Sequence, residues 1–167
     1  MTRGSITFQL AAISEDANRL GDKIFVKRFG MYVHEVRVLR LVGDQPGVTF
    51  TLLAQQTRFE RSATSRILSR LIKGGYVKRV NDREDARQFG LFITAKGQKL
   101  RERADPLTAD VEALLLSVLD QQERRRFMAA IAVLADWLHG DFKSRLAARY
   151  PEVEAPKKAR KKSEIEK

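Results

Sequence analysis

Apolar side chains recur at intervals of three and four over most of the chain, the signature of amphipathic helices. Leu10, Ile13, Ala17, Leu20 and Ile24 share one stripe of a helix predicted over Phe8–Phe29, with Glu15, Asp16, Arg19, Asp22 and Lys23 opposite and Gly30 as its stop. A shorter helix, His34–Val42, turns Val36, Leu39 and Val42 inward and ends at Gly43. Asp44-Gln45-Pro46-Gly47 follows as a turn. Thr49 is placed to cap a helix over Phe50–Gln56. Arg58-Phe59-Glu60 leads tightly into another, Arg61–Lys73, whose inner side is Thr64, Ile67, Leu68, Leu71 and Ile72. Gly74-Gly75 closes it.

The period then shortens. Tyr76–Val80 and Phe89–Ile93 are β-prone stretches flanking the polar segment Asn81–Gln88, which predicts a hairpin with a long tip. Beyond a capping Thr94, the positions Leu100, Ala104, Leu107, Val111, Leu114 and Val118 repeat at four and three, with a kink or break expected at Pro106. Asp120 caps a further helix with Phe127, Ile131, Leu134 and Leu138 inward. Gly140 interrupts it, and a last helical piece runs to Tyr150 before Pro151. The fold class is therefore mainly α with one small β-hairpin. Strand does not alternate with helix, which argues against a doubly wound nucleotide-binding sheet.

The chemistry concentrates in the middle. A short helix, a tight turn and a second helix bearing Arg61, Ser62, Ala63, Ser65, Arg66, Ser69 and Arg70 outward form a helix-turn-helix pattern. A helix entering the major groove needs small side chains near its leading turn and long donors behind them. Ser62, Ala63 and Ser65 are the small residues, and Arg61, Arg66 and Arg70 the donors. Ser62 and Ser65 suit either base edges or phosphate oxygens, and Arg66 either a guanine or a phosphate. In the hairpin tip, Arg83 reads as a minor-groove contact of the kind a wing makes, and Asp85 as structural, stiffening the turn together with Asp82 and Arg87.

Charge agrees with this placement. The chain has 167 residues, 19.0 kDa, 32 Lys+Arg against 21 Asp+Glu and a net +11. Thr57–Gly90 holds nine basic and four acidic groups, a net +5, whereas 1–56, 91–150 and 151–167 each carry +2. The partner expected from this distribution is double-stranded DNA rather than a membrane surface. Cysteine is absent and there are two histidines, so neither a disulfide framework nor a Cys- or His-ligated metal site is expected. No cofactor is expected. There is neither a Gly-x-Ser-x-Gly elbow, nor a phosphate loop, nor a paired nucleophile and base, so the chain does not read as an enzyme. No secretory signal or 18-residue apolar run shows, which gives a cytoplasmic, nucleoid-associated expectation.

Leu53-Ala54, Ser62–Leu71, Gly75-Tyr76-Val77-Lys78-Arg79, Asp85-x-Arg87 and Ile93-Thr94-x-x-Gly97 stand at spacings that resemble the MarR family of bacterial transcription regulators. The resemblance runs from Met31 to Gly97; the flanking helices match it only as amphipathic pattern. It implies a homodimeric winged helix-turn-helix protein bound to a pseudo-palindromic operator. The recognition helix would be Arg61–Lys73 and the wing Tyr76–Ile93. The implied division is a helical dimerisation region over 1–30 and 95–150, a DNA-binding region over 31–94 and a basic disordered tail over 151–167. Where relatives often carry Arg between the wing Asp and Arg this chain has Ala86, which leaves Arg83 or Arg87 for the tip contact. The resemblance also implies a small aromatic or carboxylate effector, with Arg19, Phe25, Phe29, Tyr32, His34 and Arg37 as candidate contacts. For each of these the alternative is ordinary packing. The missing cysteine excludes the thiol-oxidation response of one branch of the family. The leading expectation is an effector-released repressor. The other is a sequence-tolerant architectural DNA binder that uses the basic tail.

Overall fold

The computed structural model describes residues 4–81 and 89–153. Seven helices and one hairpin follow in the order α1 (Ile6–Phe29), α2 (Val33–Asp44), α3 (Phe50–Thr57), α4 (Arg61–Lys73), β1 (Val77–Asn81), β2 (Phe89–Ile93), α5 (Ala95–Leu115), α6 (Gln121–His139) and α7 (Phe142–Arg149). A 3-10 turn, Pro151–Val153, comes last. The chain divides into two compact units, the first ending at Leu115 and the second beginning at Leu116. None of the helices among the described residues is long and apolar enough to cross a membrane.

The first unit is built around α2. Val36, Val38, Leu39 and Val42 are all buried, and they meet Leu53 of α3, Leu68 and Leu71 of α4, Val77 and Leu91 of the hairpin, and Leu100, Ala104 and Leu107 of α5. Burying such aliphatic side chains contributes about 1.5–3 kcal/mol each before the entropy of ordering them is subtracted. The hairpin is antiparallel, pairing Val77 with Ile93 and Asn81 with Phe89. Val48 adds a single bridge to Leu91, so the loop before α3 is stitched to the wing.

The ends of the elements follow local chemistry. Thr49 accepts from the Leu52 amide and caps α3. Asp120 accepts from the amides of Gln122 and Glu123, while the Glu123 carboxylate accepts from the Asp120 amide, a reciprocal cap on α6. Two expectations differ. Helix α2 does not stop at Gly43 but runs on to Asp44. Gly43 lies inside the helix, where a Cβ would come within 2.6 Å of the Arg101 guanidinium that pairs with Asp44. Helix α5 passes through Pro106 without a break. Pro106 and Glu102 are both exposed, so water can take the carbonyl that the missing N–H leaves free.

The apolar stripes behave in two ways. On α5 the stripe is buried at Leu100, Ala104 and Leu107 and exposed from Leu114. On α1, Gly21 and Phe25 are the buried residues, and Leu10, Ile13, Leu20 and Ile24 remain exposed. On α6 the apolar stripe is not buried among the described residues. Phe127, Leu134 and Leu138 are exposed, and no residue of α6 or α7 is buried. Trp137 meets Phe142 edge-on across the break at Gly140, under the Arg145 guanidinium.

The Thr94-x-x-Gly97 motif has a steric origin. The Thr94 hydroxyl donates to the Gly75 carbonyl at 2.7 Å and accepts from the Gly97 amide at 3.1 Å. A Cβ on Gly97 would lie 2.2 Å from the Tyr76 carbonyl oxygen, which is backbone and cannot swing away. Gly97→Ala is therefore expected to cost about 1–3 kcal/mol or more, as overpacking does. Gly30→Ala has open space but a φ of 68°, so it costs only the left-handed strain of about 1–2 kcal/mol. Urea midpoints of the two variants check the order, and equal midpoints would remove the steric account.

Candidate nucleic-acid interface

Helices α3 and α4 are joined through Arg58, a non-glycine residue held at φ 59°. Inside the angle between them the hydroxyls of Thr57 and Thr64 meet at 3.1 Å, both buried. Thr57 also reaches the Ala54 carbonyl at 3.2 Å. This buried polar contact fixes the angle at which α4 is presented, and removing one partner leaves the other unsatisfied, at about 1–3 kcal/mol. Pattern reading placed Thr64 inward but missed its partner.

Helix α4 spans the predicted residues to the position. Thr64, Leu68 and Leu71 are buried, and Arg61, Ser62, Ser65, Arg66, Ser69 and Arg70 are exposed, with Ala63 half-buried among them. The arginines are not equivalent. The Arg61 guanidinium lies over the Phe50 ring, 4.9 Å from its centroid, and Arg79 of β1 lies over Phe89 at 4.6 Å. Between them is a cleft of about 510 Å³ that also presents Thr49, Thr51 and Ser65. Each stack is worth only about 0.5–1 kcal/mol at an exposed site, but it holds a long side chain in place before anything binds. Sequence reasoning missed Arg79, Thr49 and Thr51 as site residues. The available signal was the pair of aromatic residues, Phe50 and Phe89, each placed where a cation could lie on it.

Arg70 has a different task. Its Nε meets a Glu35 carboxylate oxygen at 3.0 Å, and its guanidinium lies over the Tyr32 ring at 5.4 Å. The other Glu35 oxygen accepts from the Tyr32 amide at 2.9 Å, at the start of α2. Arg70 thus anchors α4 to α2. Arg66 has no such partner among the described residues. Arg83 and Arg87, expected at the wing tip with Asp82 and Asp85, lie outside the described residues.

Residues 29–88 match the family model described as MarR family. Over these residues the chain is similar to the MarR family. It is 30% identical over 102 residues to the HTH-type transcriptional regulator TtmR of Methylorubrum extorquens, 61% of this chain and 51% of that protein, so it spans about half of that relative's length. It is 28% identical over 94 residues to the transcriptional regulator HosA of Escherichia coli, 56% of this chain and 70% of HosA. In fold it is similar to MepR of S. aureus in a DNA complex. The TM-score is 0.70 at 20% identity, covering 80% of this chain and 98% of that one. A mostly helical MarR-type winged helix is thus established as the fold.

The residues considered for an effector separate in space. An apolar cleft of about 490 Å³ lies between α1, α2 and α5, lined by Ala17, Ile24, Phe25, Val36 and Val111 and by the cations Arg37 and Arg40. Phe25 and Arg37 belong to it. Arg19 instead pairs with Asp16 at 2.8 Å on the exposed side of α1, a contact that raises its pKa through the hydrogen bond. Phe29 packs edge-on against Phe25, Tyr32 lies beneath Arg70, and His34 turns toward the helix-turn-helix. Arg40 was not foreseen. It lines the cleft while its Nε donates to Asp105 of α5 at 2.5 Å, and Asp105 also meets Arg101 at 3.5 Å.

His34 stands edge-on to Phe59, in the turn before α4, with ring centroids 4.6 Å apart. Its Nδ1 is buried without a hydrogen-bond partner among the described residues. Burial, then the positive charge of Arg37, lowers its pKa below the ordinary 6.5, and Asp22 opposes this weakly. The unfolded chain then binds this proton more readily than the folded one, so stability is retained above pH 6.5 and falls as the pH drops through that value. The expected outcome is a melting temperature that declines between pH 7.5 and 5.5 more steeply for the parent than for His34→Phe. Parallel curves for the two proteins would show that His34 is not the group responsible.

Proposed function

We propose that the protein is a homodimeric, sequence-specific DNA-binding regulator of transcription, acting as a repressor that a small aromatic or carboxylate effector releases. The observation that carries the DNA reading is the exposed Arg61, Ser62, Ser65, Arg66 and Ser69 face of α4 beside a cleft holding two ring-stacked arginines. Helix α4 enters the major groove, where Ser62, Ala63, Ser65, Arg66 and Ser69 meet base edges or flanking phosphates. Arg61 and Arg79, with the Thr49 and Thr51 hydroxyls, clamp a backbone phosphate at the α3 N-terminus. The regulators TtmR and HosA and the DNA complex of MepR support this reading.

A second copy of the chain covers the apolar side chains left exposed on α1 and in the second unit. Ile6, Phe8, Ile13 and Leu20 each expose more than half of their surface, as do Val133 and Leu138. Monomers rarely leave such faces uncovered. The effector occupies the cleft between α1, α2 and α5, its apolar body against Phe25, Ile24 and Val36 and its carboxylate on Arg37 and Arg40. An anion bound there competes with Asp105 for Arg40, loosening the tie between α2 and α5 and biasing the dimer toward a spacing that no longer fits the operator.

Selection of duplexes from random DNA by the purified protein tests the central reading. A recurrent half-site, repeated about one helical turn away, is expected. Arg66→Ala should cost about 1–3 kcal/mol and relax preference at one base pair, whereas Arg79→Ala should weaken all sequences alike. Equal affinity for selected and random duplexes at moderate salt would sink the reading in favour of a sequence-tolerant architectural binder.

A further inference from the structure

A third cleft, of about 490 Å³, lies where the end of α1 meets the start of α5. Arg28, Lys96, Lys99 and Arg103 line it, together with the rings of Phe29 and Tyr76. It shares no lining residue with the α4 interface or with the apolar cleft. No carboxylate pairs with any of the four cations among the described residues. On the same helix Arg101 is paired twice, with Asp44 and Asp105.

The arrangement runs against the electrostatics of a helix. The first turn of α5 contains no acidic residue and begins at the positive end of the helix dipole, yet Lys96 stands there and Lys99 follows directly after it. Lys99 and Arg103, four residues apart, repel each other on one face. Arg28 has the carbonyl end of α1 and Lys96 that of α4 to offset their charge, but Lys99 and Arg103 have no such relief. Two of the side chains are nevertheless held in place. Lys96 donates to the Gly74 carbonyl at 2.7 Å and lies 4.4 Å over Tyr76, which leaves its ammonium two further N–H donors. Arg103 lies over Phe29 at 5.6 Å. A cluster that is costly when empty and partly ordered in advance is what an anion site requires.

We propose that this cleft is a second anion-binding site, separate from the recognition surface, that takes a ligand carrying several phosphate charges. Four convergent cations exceed what one carboxylate can neutralise. The arginine forks match phosphate oxygens, and the lysines act as point charges beside them. Two sources supply that chemistry, a free phosphorylated small molecule and the phosphate backbone of DNA running past the operator contact.

The probe is sodium tripolyphosphate, titrated calorimetrically into the full chain at low salt. Lys99→Gln combined with Arg103→Gln should weaken its binding about tenfold or more. Arg125→Gln combined with Arg126→Gln, exposed on α6, should change it by less than about twofold, on the same affinity scale. Lys99→Gln alone, at an exposed position with no contact to lose, should melt no lower than the parent without ligand, and should lose most of the tripolyphosphate-induced rise in melting temperature. The salt dependence of binding to a random duplex separates the sources. A slope shallower by about two in the Lys99/Arg103 variant assigns the cleft to DNA backbone, and an unchanged slope assigns it to a free ligand. If tripolyphosphate fails to bind the parent, or binds the Lys99/Arg103 variant equally well, the proposal is wrong.

Discussion

The buried carboxylate of Glu35 is the contact on which the presentation of the recognition helix depends. One oxygen accepts from the first amide before α2, and the other holds the Arg70 guanidinium on α4. A carboxylate with almost no exposure tolerates burial only when its oxygens are occupied. The start of α2 and the end of α4 are therefore constrained to meet at one place. The apolar core behind them, Val36, Leu39, Leu68 and Leu71, fixes how close the two helices lie. The Thr57–Thr64 contact then fixes the angle at the other end of α4. Two polar contacts, one at each end, orient a helix whose packing alone is non-directional.

Where an element's boundaries are set by nearby residues, the sequence was legible. Helix α4 emerged to the residue because its apolar period, its small-residue outer face and Gly74-Gly75 agree. The hairpin strands and the Thr49 and Asp120 caps were readable for the same reason. Amphipathic period, in contrast, reports that a face needs cover and is silent on which chain supplies it. That is why the α6 stripe read as inward, while Phe127 and Leu138 are exposed among the described residues.

Site residues were legible as a class and not as individuals. Arg61, Arg66 and Arg70 look alike in sequence, but one stacks on Phe50, one has no partner among the described residues, and one is tied to a carboxylate 35 positions earlier. Such long-range partners leave no trace in a local window. Arg40 escaped notice for the same reason, since its partner Asp105 lies on a helix that the pattern placed only by period. The four cations at the α1–α5 junction were counted in the net charge and not recognised as a cluster, because 68 positions separate Arg28 from Lys96, the nearest of the α5 lysines.

The close approach of Gly97 to the Tyr76 carbonyl also gives α5 a fulcrum. The helix is pinned at its first turn to the root of the wing, through Thr94 and Gly97. From there it runs 21 residues to Leu115, a lever arm of about 30 Å at the helical rise. A tilt of about 5° at such a pivot carries the far end through roughly 2–3 Å, given that arm length. Such a tilt is opposed where Leu100, Ala104 and Leu107 are buried in the core, so one glycine fixes the near end of a helix whose apolar stripe comes into the open only at its far end.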